Sequence, residues 1–475
     1  MVWNTIQRFG TMTISFLSNL VLARLLVPDD FGAIGMLTIF ISLSEVFIDG
    51  GFGSALIQKK EVTQSDYSTI FYWNLIVAVL LFVVLCLGSP YVAEFYHMPI
   101  LCDVLRATSL ILIINGFSVI QTNILTKNLE FKLIAKINLI SMTIGVAVAI
   151  VMAYMGFGVW SLVIKNLLAS GITAILLWVL TKWRPSLIFS WTSFKSLFSF
   201  GSLLLVSRLL NSLFENIQGL VIGRYYSSKD LGFYSQAKRL DQLPSNSISQ
   251  IITRVTFPVF SKISDNPDLL RNAVRKNVIC TTYLLFPLQV LLIVIAQDLI
   301  TFLFTVKWME SVPYFRVLCV YSMFITLNAI NTNIYIAKGN SKLYFWVQLV
   351  KKIIGIFLLI IGVRYGVIGI TWSLALSGIV WWIISASINS RFINYGLASQ
   401  IKDVIGYFLI AVIIGVVIYH LSTILLLPTL GSLFVYSLLF VGFYFLFSKI
   451  FNLEPFGIYK NIVRNYFFKR RKVSA

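Results

Sequence analysis

The stretch LVLARLLVPDDFG, Leu20 to Gly32, is written again two hundred positions later as LVIGRYYSSKDLG, Leu220 to Gly232. Aligned without gaps, the two share their Leu, Val, Arg, Asp and Gly, and Leu22/Ile222, Ala23/Gly223 and Phe31/Leu231 are conservative pairs. Carried backwards, the same offset sets Arg8 opposite Arg208. Arginine inside an apolar stretch is costly in a membrane, about 2.5–3.5 kcal/mol on insertion scales, so its recurrence at this offset adds weight. The offset acts as a ruler along the chain.

The surroundings are those of a membrane protein. Of 475 residues, 58% are hydrophobic and only 12% charged, outside the range of soluble globular domains. Apolar windows of about 20 residues, long enough to span the hydrocarbon core, recur throughout and leave no room for a separate soluble domain. Fourteen spans are expected, at 2–26, 31–57, 69–88, 106–126, 133–153, 158–181, 196–222, 232–258, 277–303, 313–337, 343–363, 367–390, 403–423 and 432–448. Lipid offers backbone groups no partners, and apolar runs of this length without strand alternation are helices, so the fold class is all-α and polytopic.

Six spans separate the two copies of the motif, an even number, so both copies cross the membrane in the same direction. The halves are then parallel repeats, and parallel repeats suit transporters whose substrate path lies between lobes. The expected domains are an N-lobe at 1–181, a C-lobe at 196–390, two further spans within 403–448, and a basic cytoplasmic tail at 449–475.

A net charge of +20 raises the question of nucleic acid, but the charges track the connecting loops. One side holds sixteen basic residues, from Lys59 and Lys60 through Lys127, Arg184 and Arg275 to Lys402, and the tail adds seven more. The opposite loops hold Arg224, Lys229, Lys307 and Arg364, which by the positive-inside rule puts both termini in the cytoplasm. The closing KRRKVSA reads as an orientation signal at anionic headgroups, with no nucleic-acid partner. The opening MVWNTIQRFG lacks the basic region and cleavage site of a signal peptide, so the first span is expected to be retained. Cys86, Cys102, Cys280 and Cys319 are scattered without paired spacing, and His97 and His420 lie far apart, so neither a disulfide framework nor a metal site is expected.

Span 1 places Asn4, Gln7, Arg8, Thr11, Ser15 and Ser18 at steps of three or four, and span 7 does the same with Arg208, Asn211, Ser212, Glu215 and Gln218. Such stripes face lipid only at great cost, so the two helices should turn them toward each other or toward a shared aqueous cavity. Glu45 and Asp49 in span 2, Lys165 in span 6, and Lys238, Arg239, Asp241 and Gln242 ahead of Pro244 in span 8 join them. Lys351 and Lys352 in span 11 either line the same cavity or snorkel along a tilted helix. Two readings of the cations stand side by side. One is structural pairing of Arg8, Arg208, Lys238 and Arg239 with Glu45, Asp49, Glu215 or Asp241. The other is a cavity with surplus positive charge for an anionic headgroup, since cations outnumber acids here and the planar guanidinium suits phosphate oxygens.

The quoted motif reads as a repeated structural corner, with Pro28 breaking span 1 and Asp30 placed to cap span 2. Gly50, Gly51, Gly53, Gly366 and Gly369 read as close-packing positions rather than hinges.

These residues also carry a family resemblance. WNTIQRFG, LARLLVPDDFGAIGM and DGGFGSALIQKKEVTQSDYSTIFYWN, with LGFYSQAKRLDQLP and TFPVFSKI in the second half, resemble the polysaccharide transport branch of the multidrug/oligosaccharidyl-lipid/polysaccharide exporter superfamily, in particular its Wzx-type and colanic-acid-exporter-like flippases. The resemblance covers nearly the whole chain. One departure is the short segment before span 1, where family members often carry several more basic residues.

The resemblance implies a bacterial inner-membrane protein that moves an undecaprenyl-diphosphate-linked oligosaccharide to the outer leaflet by alternating access, for O-antigen, capsule or exopolysaccharide. It implies no cofactor beyond a proton or sodium gradient. Membrane lipids, the polysaccharide polymerase and chain-length machinery are its further partners. The diphosphate would lie between Arg8 and Arg208, assisted by Lys238, Arg239 and Lys165. Gln7, Thr11, Asn211 and Gln242 would hydrogen-bond the sugars, and Glu45, Asp49, Glu215 or Asp241 would take the coupling ion. Two rivals are a cation-coupled multidrug exporter on the same fold, whose pockets tend to be acidic, and a membrane glycan polymerase or ligase. The latter usually needs a large outer loop with acid, base or nucleophile, and the longest here, around Ser89 to Leu105, has only Glu94, His97 and Asp103 without a nucleophile's spacing. The expectation is therefore a transporter rather than an enzyme.

Overall fold

The computed structural model describes residues 2–425 and 427–460, and among them there is no β-strand. The end of the basic tail expected at 449–475, residues 461–475, lies outside the described residues. The described residues form sixteen α-helices: α1 (Val2–Leu25), α2 (Pro28–Asp49), α3 (Phe52–Gln58), α4 (Gln64–Phe95), α5 (Leu101–Lys127), α6 (Phe131–Tyr154), α7 (Val159–Leu180), α8 (Trp191–Tyr225), α9 (Ser228–Lys262), α10 (Pro267–Val294), α11 (Ala296–Phe304), α12 (Ser311–Ala337), α13 (Ser341–Val363), α14 (Gly366–Ile393), α15 (Leu397–Ile424) and α16 (Thr429–Ile450).

Each expected span coincides with a long helix, and two spans are broken. Span 2 becomes α2 and α3 because Gly50 and Gly51 both take left-handed backbone angles, φ of 54° and 75°, which glycine adopts without steric cost. Gly51 is also a close-packing position, since a Cβ there would lie 2.3 Å from the Gly201 carbonyl oxygen of α8. Span 9 breaks at Ile295, between α10 and α11. By length and composition eleven helices are apolar enough to cross a membrane, and α8, bent by 56°, makes a twelfth. α1 and α9 are not in that set, because the polar and charged side chains of their stripes lower their hydropathy. The protein is a multi-pass, all-α membrane protein.

Helix starts follow local chemistry. The Thr63 hydroxyl accepts from the Asp66 amide at 3.2 Å while Asp66 Oδ2 accepts from the Thr63 amide at 2.9 Å, a reciprocal cap for α4. Lys59 Nζ reaches the same carboxylate at 2.6 Å. Asn266 caps α10 ahead of Pro267, and Asn340 caps α13.

Two compact units divide at Ser235 and Gln236, inside α9: Met1–Ser235 and Gln236–Ala475. This division follows packing, whereas lobes at 1–181 and 196–390 follow the repeat; α8 opens the second copy yet packs along α2 in the first unit. Within that unit α4 pairs with α5, and α6 packs against both α7 and α1. A core of Phe52, Leu56, Phe71, Ile120, Phe194 and Leu197 ties α3, α4, α5 and α8 together. The second unit is centred on α10, α12, α14 and α15, with Val278, Phe286, Leu327, Ile330, Ile414 and Phe440 in its core.

Candidate functional site

The repeated motif folds into matched corners within the first unit. Asp30 Oδ2 accepts from the Val27 amide at 3.1 Å, and its twin Asp230 accepts from the Ser227 amide at 3.2 Å and the Ser227 hydroxyl at 2.6 Å. Each carboxylate satisfies an amide at the start of its helix, and its charge suits the positive end of the helix dipole. The two glycines are seated reciprocally. A Cβ on Gly32 would lie 1.8 Å from the Ser228 carbonyl oxygen, and one on Gly232 would lie 2.0 Å from the Pro28 carbonyl oxygen, while Ser228 and Pro28 are themselves twins. Ser228 Oγ donates to Asp29 Oδ1 at 2.5 Å across the junction.

Next to the corner, Arg224 donates to His97 Nε2 at 2.8 Å and lies over the Phe95 ring, 5.0 Å from its centroid. A guanidinium only donates, so His97 Nε2 is the acceptor in this pair. Beside it the Tyr96 hydroxyl donates to the Met36 carbonyl at 3.3 Å, and burial pushes that phenol up to about 12. Arg24, the twin of Arg224, is exposed.

The stripe residues of the first unit fall into two groups. Arg208 on α8 pairs with Asp49 at the end of α2 and donates from Nη2 to Ser54 Oγ of α3 at 2.9 Å. It fastens α8 to the break after α2, at the level where Gly51 and Gly201 allow the backbones to meet. One turn onward, the Ser212 hydroxyl donates to Ser42 Oγ at 3.3 Å and Asn216 Nδ2 donates to the same oxygen at 3.1 Å. Glu45 accepts from Asn115 Nδ2 of α5 at 3.0 Å. Arg8 behaves differently. It is half-buried on α1, Thr11 Oγ1 donates to its carbonyl at 3.0 Å, and among the described residues no carboxylate lies within ion-pair distance of its guanidinium. Gln7 and Lys165 are half-buried, and Asn211 and Glu215 are exposed on α8.

In the second unit Asp241 is buried and accepts from the Ser322 hydroxyl of α12 at 2.6 Å. Lys238 is half-buried, and Arg239 and Gln242 are exposed. Lys351 neither lines an open surface nor snorkels. It is 1% exposed, with Nζ donating to Asn328 Oδ1 at 2.6 Å and Ser385 Oγ at 2.5 Å, and Trp381 Nε1 donates to its carbonyl at 2.9 Å. It is an internal strut between α12, α13 and α14.

Further along α12, Asn331 exchanges amide hydrogen bonds with Gln400 at 3.1 and 2.7 Å, and Asn389 and Trp382 complete that cluster. Arg275 holds Asp403 through two bonds of 3.0 and 3.1 Å and Glu454 through two of 3.1 and 2.8 Å. Sequence reasoning missed these groups. The signal for the α12 cluster was present in Asn328, Asn331, Thr332 and Tyr335, which step along one helical face.

The chain is 28% identical over 382 residues to the teichuronic acid biosynthesis protein TuaB of Bacillus subtilis, a match covering 80% of this chain and 79% of TuaB. It is 25% identical over 386 residues to the lipopolysaccharide biosynthesis protein WzxC of Escherichia coli, covering 81% and 78%. Among solved structures, the lipid II flippase MurJ in an inward closed conformation superposes with a TM-score of 0.78 over 97% of this chain and 99% of MurJ, at 16% identity, a likeness of fold. The family described as polysaccharide biosynthesis protein matches residues 21–313, which takes in both corners and the whole of α8 and α9, and the chain belongs to that family.

Proposed function

We propose that this protein is a flippase that carries a polyprenyl-diphosphate-linked oligosaccharide from the inner to the outer leaflet of the bacterial inner membrane for surface polysaccharide synthesis. Family membership supports the polysaccharide context, and the names of TuaB and WzxC place both relatives in the biosynthesis of surface glycans. The fold is one used by a lipid flippase.

The observation that carries the chemistry is Arg8. A guanidinium in a membrane helix is expensive, and Arg208 offsets that expense by pairing with Asp49, whereas among the described residues Arg8 has no such carboxylate. Its planar fork fits a diphosphate, and the amide and hydroxyl of Gln7 and Thr11 on the same helix suit sugar hydroxyls. A proton or sodium gradient would drive the return step through an acid of the stripe helices, with Glu45 ahead of Asp49 because Asp49 is engaged by Arg208. The protein would act by alternating access, with both termini in the cytoplasm, and the polymerase and chain-length machinery would receive its product.

A deletion strain supplies the test. Loss of the gene should make one lipid-linked glycan accumulate on the cytoplasmic leaflet, and the wild-type gene should clear it. Arg8→Ala, present in the membrane at normal level, should cut glycan delivery at least about tenfold, the loss of one charge-assisted contact. Normal delivery by that variant would remove Arg8 from substrate binding, and absence of any accumulating glycan in the deletion strain would remove the flippase reading.

A further inference from the structure

The end of α10, the first half of α12 and the second half of α15 line an open cavity of about 410 Å³ within the second unit. Its walls are aliphatic and aromatic, with Val290, Ile293, Met323, Phe324, Phe408 and Val412 among them. One side chain in the lining is charged, Arg316. Its Nε donates to the Ile293 carbonyl at 3.2 Å, which fixes the guanidinium at the cavity wall. Among the described residues its two terminal nitrogens have no protein partner.

The order of these groups along the helices is informative. Arg316 lies in the second turn of α12, close to the helix end, and Ile293 is the penultimate residue of α10. From Arg316 the lining runs down to Phe324, about 12 Å along α12 at 1.5 Å per residue, and from Tyr419 to Phe408 it runs about 16 Å along α15. One leaflet contributes roughly 15 Å of hydrocarbon. The cavity therefore has a cation at interfacial depth and an apolar shaft about one leaflet deep beneath it, the dimensions of a single lipid chain below its phosphate.

We infer that this cavity binds an anionic phospholipid, with one acyl chain in the shaft and the phosphate on the terminal nitrogens of Arg316. The charge bias of the loops puts this end of the helices in the outer leaflet. A phosphodiester carries one negative charge and matches one guanidinium, whereas a diphosphate would call for further cations than the lining holds. The volume also suits one chain, not a long polyprenyl tail. This site is separate from Arg8 and does not depend on what the protein transports.

Native mass spectrometry of the purified full-length protein, titrated with phosphatidylglycerol and in parallel with phosphatidylcholine, tests the assignment. Phosphatidylglycerol should bind about tenfold more tightly, because the choline ammonium of phosphatidylcholine offsets the charge of the same phosphodiester. Arg316→Gln should lower it to the phosphatidylcholine level, and Arg316→Lys should keep a preference. Val412→Trp, which fills the shaft and leaves Arg316 in place, should remove the bound lipid while the thermal unfolding temperature stays near wild type. Equal binding of phosphatidylglycerol by wild type, Arg316→Gln and Val412→Trp would overturn the site. Displacement of phosphatidylglycerol by an equimolar amount of undecaprenyl phosphate would overturn its assignment to a phospholipid.

Discussion

The two copies of the repeat agree at one end of the first unit and part company at the other. At the corner, positions 30 and 230 cap their helices in the same way, and positions 32 and 232 seat against each other's copy with nearly equal closeness. More than about four helical turns from the corner, positions 8 and 208 carry the same arginine with different company. Arg208 is held by Asp49 and Ser54, and among the described residues Arg8 has no carboxylate within ion-pair distance. Identity at matched positions thus means equivalence at the corner and division of labour at the stripes, because a backbone seat fixes the residue on both sides while a side chain's role depends on its neighbours.

The strongest way to break this comparison is at the corner glycines. Gly32→Ala and Gly232→Ala each drive a methyl group into a backbone carbonyl that no side-chain rotation can move aside. Both should destabilise by at least the roughly 1–3 kcal/mol of core overpacking, and by similar amounts. Thermal unfolding in detergent measures this, and a large inequality between the two would mean that the corners are not equivalent.

The arginines should separate where the glycines agree. Arg208→Ala leaves Asp49 without its partner and should lower stability by about 1–2 kcal/mol, less than for a fully buried pair because both groups are partly exposed. Arg208→Ala combined with Asp49→Ala should lose less than the sum of the two single changes. Arg8→Ala should leave the unfolding temperature near wild type while impairing glycan delivery. Reversed outcomes, with Arg8 setting stability and Arg208 setting transport, would exchange the two roles. The smallest effects belong to the caps: Asp30→Ala and Asp230→Ala should each cost about 1 kcal/mol.

Much of the architecture was legible because membrane helices declare themselves by length. Every expected span is a long helix, and the even count between the motif copies follows directly. The break at Gly50 and Gly51 was less visible, since a glycine pair marks close packing and a backbone turn with the same letters, and here it does both. The site was legible only in part. The offset led to Arg8 and Arg208, but nothing local told them apart, because Asp49 lies 159 residues from Arg208. The anchor of Arg275 on Asp403 and Glu454 spans 128 and 179 residues, and the Lys351 strut draws on three helices. Periodicity reports which face of a helix is polar. It does not report which other helix answers that face.

The reciprocal glycine seat ties the two copies of the motif to one another physically. Residue 32 of one copy meets residue 28 of the other, and the reverse holds, which is the reciprocity of a two-fold homodimer interface folded into one polypeptide. A side chain added at position 32 would need room made at 228, and one added at 232 would need room made at 28, so neither corner can be altered without the other. At positions 8 and 208 the same arginine serves differently: Arg208 is a fastening to Asp49, while among the described residues Arg8 has no carboxylate within ion-pair distance.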